Sequence, residues 1–158
     1  TNAVHLGNGL VKKNLATFDK VIIKLDAWDE TSFQRINRPH PSVKFSQHLK
    51  GIKDFRQNYH GSVEVQSMFT PANYPQDEQI KALADLYLQI APEVIQLNTP
   101  KRPYPLSWHR ENRGNHQAVF SYPVSNLKNV SEREAVTLEQ ALRQMTNLPV
   151  LSIYHQSG

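Results

Sequence analysis

Apolar positions along this chain follow two rhythms. The run Val21 to Leu25 is β-branched and nearly unbroken, the pattern of a parallel strand buried on both faces. Leu15 and Phe18, just before it, belong to a preceding helix or turn. The period then changes. Phe45, Leu49, Ile52, Phe55 and Tyr59 recur every three or four positions, which predicts a helix with one apolar stripe. Ser46 reads as its N-cap and Gly61 as its stop. Ser62 to Phe69 alternates and predicts a second strand. Ile80, Leu83, Ala84, Tyr87 and Ile90 form the strongest helical stripe, with Asp77 and Glu78 suited to its first turn and Pro92 to its end. Val94 to Asn98 reads as a third strand. From about Lys101 to Val130 the pattern dissolves into Pro, Asn, Ser, Arg and His, a length of irregular chain that is usually functional or flexible. A short helix with a Thr137–Gln140 capping box follows, and Leu148 to Tyr154 is compatible with a last strand.

Strand, helix, strand, helix, strand, with crossovers long enough for parallel pairing, predicts an α/β fold built of βαβ units. The 158 residues suffice for one domain with a real core. Hydrophobic residues at 39% and charged residues at 20% exclude a disordered chain. No apolar run approaches the roughly 20 residues that span a bilayer, and no signal peptide is visible. Without cysteine there is no disulfide framework, no thiolate metal site and no Cys nucleophile, which fits a cytoplasmic location. The charge of +4 and pI near 9.4 suit either an ordinary basic surface or an anionic partner. The basic residues are spread out, so no stripe points to nucleic acid.

In parallel α/β sheets, ligands bind outside the carboxyl ends of the strands. Here those exits are polar. The first carries Lys24, Asp26 and Trp28; the second Gln66, Met68, Thr70 and Asn73; the third Gln96, Asn98, Thr99, Lys101 and Arg102. Any one of these residues more ordinarily satisfies a loop or caps a helix. Together they suit a ligand with amine, carboxylate and hydroxyl groups. Asp26 either caps a helix beginning near Glu30 or faces that ligand. Other chemistry is weakly supported: the segment Leu6 to Val11 lacks phosphate-loop spacing, no His-Glu-x-x-His or Gly-x-Ser-x-Gly occurs, and His109 and His116 make a poor metal pair. No metal site and no catalytic residue is assigned.

The segments Leu25-Asp-Ala27, Ile36-Asn-Arg-Pro39, Gly51-Ile-Lys-Asp-Phe55, the acidic helix start after Asn73, and Ile95-Gln-Leu-Asn-Thr-Pro-Lys-Arg-Pro103 occur in an order that resembles the radical S-adenosylmethionine (SAM) superfamily. Within it they are most similar to the Fe–S oxidoreductases related to tRNA wyosine-synthesis enzymes. The resemblance covers about residues 1–105. It implies the C-terminal part of a partial (β/α)6 TIM-like barrel, with residues 106–158 as an irregular extension holding a short helix and a possible strand. The family's N-terminal half carries three cysteines that hold a 4Fe–4S cluster, which binds and reductively cleaves SAM to abstract a substrate hydrogen. This chain lacks that half, so the cluster and SAM belong to the parent protein and neither is expected to bind stably to this chain alone. Thr1-Asn-Ala3 is similar to the family's Thr-Asn-Gly at the end of a mid-barrel strand, or is a cloning remnant. The resemblance implies SAM contacts from Lys24, Asp26, Gln66, Gln96 and Asn98. It implies substrate contacts from Asn37, Arg38, Asn73 and Arg102, with the Asn37-Arg38-Pro39 turn folded over the mouth. The implied partners are the missing half, a small-molecule or RNA substrate, and a second copy through an open sheet edge. Two other readings stand beside it: a basic RNA-binding module, and a cluster-free aldolase-like or phosphate-binding barrel enzyme.

Overall fold

The structure is a computed structural model that describes residues 1–101, 103–107 and 122–155. Its strands are β1 (Lys20–Lys24), β2 (Ser62–Met68), β3 (Val94–Asn98), β4 (Tyr104–Pro105), β5 (Val124–Ser125) and β6 (Val150–Ser152). Its helices are α1 (Gly9–Leu15), α2 (Glu30–Asn37), α3 (Phe45–Asn58), α4 (Asp77–Ile90) and α5 (Glu132–Thr146). The main sheet is ordered β1-β2-β3-β6 and wholly parallel, with Val21 opposite Val63, Val65 opposite Ile95 and Leu97 opposite Ser152. β4 and β5 form a separate antiparallel ribbon. The expected parallel order of the first three strands therefore holds, and the run at Val150 joins them as a fourth strand through α5.

The expectation that Val21 to Leu25 is buried on both faces does not hold. Burial alternates along β1. Val21, Ile23, Leu25, Val63, Val65, Ile95, Leu97 and Val150 are each 5% exposed or less and lie on the face that α3, α4 and α5 cover. Each such side chain contributes roughly 1.5–3 kcal/mol before entropy costs. The alternate residues Lys20, Ile22, Lys24, Gln66, Gln96 and Leu151 line an open face. Ile22 is branched and apolar yet 36% exposed, so residue type alone could not separate the two faces.

Helix ends also differ from their expected positions. Ser46 is not a cap. α3 begins one residue earlier, and its first N–H, from Phe45, is taken by Glu30 Oε2 at 2.8 Å. A carboxylate from another helix thus does the work of a local N-cap. Gly61 is not a left-handed stop, since α3 ends at Tyr59 with φ −107°. The glycine serves close approach instead: a Cβ there would stand 2.5 Å from Cζ of Tyr59 and 2.6 Å from the Asp19 carbonyl oxygen. α5 opens at a Ser131–Glu134 capping box, not at Thr137–Gln140, and is therefore 15 residues long. Thr137 sits inside it and bonds the Arg133 carbonyl. α4 closes as expected before Pro92, through Ala91 in the left-handed region at φ 51°.

Thr1 extends the sheet beside β1. Its ammonium donates to Ile22 O at 2.8 Å, and Lys24 N–H donates to Thr1 O at 2.9 Å. The two bonds bracket Ile23 as a parallel neighbour does. Ala3 follows at φ 60°, fully buried. Among the described residues no helix is long and apolar enough to cross a membrane.

Candidate functional site

At the exit of β1 the sheet comes apart in an ordered way. Leu25 N–H still donates to Gln66 O at 3.0 Å. Beyond it a side chain replaces the backbone. Asp26 Oδ1 accepts Met68 N–H at 2.9 Å, and Asp26 Oδ2 accepts the Asn37 amide at 3.2 Å. The carboxylate thus ties the end of β2 to the end of α2. It does not cap α2; Asp29 does, accepting Ser32 N–H at 2.6 Å in a reciprocal capping box. The cap alternative for Asp26 is thereby removed.

α2 ends at Asn37, and Arg38 turns the chain in the left-handed region at φ 46° and ψ 54°. Proline disfavours helical backbone in the residue before it, so Arg38 ahead of Pro39 holds strain of about 1–3 kcal/mol. The turn faces the N-terminal segment around Asn2 and His5. Between them lies a cleft of about 610 Å³ lined by Lys24, Asp26, Asn37, Arg38, His40 and His48 among others. A second cleft of about 550 Å³ shares Lys24, Asp26 and Arg38 and adds Arg35, Met68, Thr70 and Asn73. Lys24, Asp26 and Arg38 therefore stand on the wall between the two.

Charge is unbalanced there. Lys20, Lys50, Arg56, Lys81 and Arg143 each meet a carboxylate. Among the described residues Lys24 and Arg38 meet none. His48 projects from α3 into the lining, 5% exposed, stacked on Phe33 at 5.1 Å between centroids. Its Nδ1 has no hydrogen-bond partner. Burial lowers the His48 ring below its ordinary 6.5, against the pull of the Asp26 charge. His40 Nδ1 accepts Ser42 N–H at 3.3 Å, which leaves Nε2 to carry the proton in the neutral ring.

The open sheet face beside these clefts is an amide floor. Register sets Lys24 beside Gln66 and Gln66 beside Gln96. Gln66 Nε2 donates to Gln96 Oε1 at 2.9 Å, Gln96 Nε2 donates to Glu64 Oε2 at 2.5 Å, and Lys20 pairs with Glu64. Asn98 ends β3 on the same face, half-buried, with no side-chain hydrogen bond among the described residues.

The structure thus brings Lys24, Asp26, Asn37 and Arg38 to one cleft, with Gln66 and Gln96 on the adjoining floor. Asn73 lines the second cleft but is occupied: its Oδ1 accepts from Thr70 N–H and Oγ1, both at 2.6 Å, and its Nδ2 donates to Met68 O. Thr99 Oγ1 is buried, accepting Val130 N–H. Lys101 lies 4.2 Å over the Tyr154 ring. Arg102, His109 and His116 lie outside the described residues. His5, His40, His48 and Glu64 join the site without having been singled out from the sequence, and Asn2 does so from the Thr1-Asn-Ala3 segment that the resemblance set at a strand end. His48 was hidden because it sits on the apolar stripe between Phe45 and Ile52.

Among the described residues no group of three His, Cys, Asp or Glu is placed to hold a metal. Together with the cysteine-free sequence, the residues of this chain do not fit an iron–sulfur cluster. Lys24, the open oxygen of Gln66 and the Asn98 amide, on adjacent parallel strands, do fit the carboxylate, amine and hydroxyls of SAM.

No family model matches the chain. It is 34% identical over 153 residues to a UPF0026 protein of Synechocystis sp., covering 95% of this chain and 57% of that protein. It is 32% identical over 103 residues to a UPF0026 protein of Methanocaldococcus jannaschii, covering 65% of this chain and 32% of that one. The chain thus spans a little over half of the first relative and about a third of the second. Among solved structures it is similar to a domain of pyruvate-formate lyase-activating enzyme from Bacteroides vulgatus, with TM-score 0.63, 16% identity and coverage of 95% of this chain and 77% of that one. It is also similar to a radical SAM methyltransferase from Sphaerobacter thermophilus, with TM-score 0.59, 16% identity and coverage of 94% and 38%. The parallel α/β fold described above is similar to that of radical SAM enzyme domains.

Proposed function

We propose that this chain forms the cofactor- and substrate-facing side of a radical SAM enzyme, its sheet being part of a partial (β/α)6 barrel. The cluster is held by cysteines elsewhere in the same protein, which packs on the open sheet face. The observation that carries this reading is the row Lys24, Gln66, Gln96 and Asn98. These residues lie on the uncovered face, at or near the carboxyl ends of adjacent parallel strands, in a fold shared with radical SAM domains. When bound, the reduced cluster would supply the electron that cleaves SAM. This chain's residues bind and orient. Lys24 meets the methionine carboxylate, Gln66 and Asn98 engage the amine and hydroxyls, and Gln96 fixes Gln66. Asp26 keeps the β2 exit and Asn37 in place around them, and Asn37 and Arg38 face the substrate.

The test is anaerobic reconstitution of the full-length gene product with iron and sulfide, followed by SAM titration. The expected result is a bound cluster and SAM binding that Lys24→Gln and Asn98→Ala each weaken about tenfold, the loss of one charge-assisted contact. Full-length protein that takes up neither cluster nor SAM would overturn the reading. So would charge-transfer absorption from this cysteine-free chain alone.

A further inference from the structure

We infer that the substrate handled at this site is a small molecule with an anionic head group, phosphate or carboxylate, received in the 610 Å³ cleft by Arg38, His40 and His48. The inference names the substrate class of the proposed enzyme and rests on that reading, while its binding step is testable separately.

Three independent features carry it. The first is charge. Asp26 is the single carboxylate in the lining, and each of its oxygens already accepts a hydrogen bond. Lys24, assigned above to the SAM carboxylate, and Arg38 lie in the same lining with no carboxylate partner among the described residues, so Arg38 is the cation left to the substrate. Two cations thus stand against one already occupied carboxylate, and the cleft is cationic before SAM binds. A concave site of one sign concentrates ligands of the other.

The second is an unsatisfied group. Buried polar atoms without a partner are rare and ask for an explanation. His48 is 95% buried, lies in the cleft lining, and has a ring nitrogen with no partner. Nδ1 itself is closed off, so a ligand meets this ring at the edge that lines the cleft, beside a nitrogen the protein leaves unpaired.

The third is preorganisation. Arg38 is held at φ 46° between Asn37, which is tied to Asp26, and the rigid Pro39. A guanidinium on a fixed backbone loses less freedom when it forks onto an oxyanion. The volume is that of a small-molecule site. The cations lie within a cleft and not along a stripe, and Phe33, the aromatic ring in the lining, is buried beneath His48. Single-stranded nucleic acid needs exposed rings on which bases stack.

The experiment titrates the full chain with inorganic phosphate in one arm and malonate in the other, at low salt, following the histidine ring signals by NMR and the heat by calorimetry. The expected result is saturable binding of at least one anion at about millimolar concentration, with the His48 and His40 rings perturbed. Arg38→Gln should weaken it at least tenfold, and His48→Gln at least threefold, with thermal melting used to show that both variants fold. Phosphate binding alone identifies a phosphate head, and malonate binding alone a carboxylate. Failure of both anions to move the rings would overturn the inference, as would binding that ignores Arg38→Gln. Displacement of either anion by single-stranded RNA with a steep salt slope would also overturn it. Anion binding that responds to Arg38→Gln in a protein whose full-length form binds no SAM would uphold the cleft and discard the radical SAM reading.

Discussion

Replacing Asp26 by Ala removes two acceptors at once. Met68 N–H, partly buried at the end of β2, loses its charged partner at 2.9 Å. A bond to an ionised acceptor contributes about 1.5–3 kcal/mol, and partial access to water sets this one near the lower end. The Asn37 amide, exposed and 3.2 Å from the carboxylate, turns to solvent at a cost of about 0.5 kcal/mol or less. Together the loss is about 2 kcal/mol. For a chain of 158 residues this corresponds to a fall in Tm of about 4–8 °C. Urea unfolding followed by circular dichroism measures it, with an unchanged slope showing that neither state has expanded. Asp26→Asn keeps an oxygen for Met68 and lets the Asn37 amide rotate to face the new NH₂, so it should cost less than about 1 kcal/mol. An Asp26→Ala protein within about 0.5 kcal/mol of the parent would refute the tie between β2 and α2. An Asp26→Asn loss equal to that of Ala would show that charge, and not hydrogen bonding, is what matters. The comparison also protects the functional test, because lost binding in Asp26→Ala alone could be a displaced exit and not a lost contact.

Other positions give sharper local outcomes. Ala91 is exposed at φ 51°, so Ala91→Gly relieves about 1–2 kcal/mol of left-handed strain against about 0.5–1 kcal/mol of added unfolded-state freedom, and should stabilise by about 0.5–1 kcal/mol in urea melts. Gly61→Ala drives a Cβ into the Tyr59 ring and the Asp19 carbonyl and should cost about 2–3 kcal/mol by the same measurement. Burial pushes the Glu139 carboxyl up, but Ser152 N–H at 2.8 Å, His155 and Arg143 outweigh it and hold it below its ordinary 4.5. Its folded value being depressed, its contribution is present above about pH 4.5 and is lost as pH falls through the lower folded value. Glu139→Gln should therefore flatten the stability profile below pH 4.5 and cost about 1–2 kcal/mol at neutral pH, discounted because Arg143 is partly exposed.

Elements set by local rules could be read from the residues. The stripe from Ile80 to Ile90 and the stop before Pro92 both appear in α4, because periodicity and a proline act within a few residues. The polar exits were legible for the same reason: strand ends follow from strand runs. What failed depended on distant partners. Ser46 looked like a cap, but Glu30 from another helix supplies the acceptor. Ser131–Glu134 is a local signal that directly follows the stretch without pattern, and the sequence reading started the helix later, at the Thr137 pair. His48 looked like an interruption of a stripe until α2 folded Phe33 against it. The resemblance set Thr1-Asn-Ala3 at a strand end, but that Thr1 pairs alongside Ile23 and so carries His5 to the cleft is a contact no window of residues contains.

The amide floor has a direction. A carboxylate can only accept, so Glu64 compels Gln96 to present its NH₂. Gln96 must then offer its oxygen to Gln66, which answers with its own NH₂. Lys20 at the far end takes the other oxygen of Glu64 and so fixes which one faces Gln96. Left over on Gln66 are the carbonyl oxygen, which accepts nothing among the described residues, and the second N–H of the amide. A charge placed at the foot of β1 thereby sets, three side chains away, an open acceptor on Gln66 for a donor of the ligand. With glutamine in place of Glu64 the series could run either way, and Gln66 would lose its polarity.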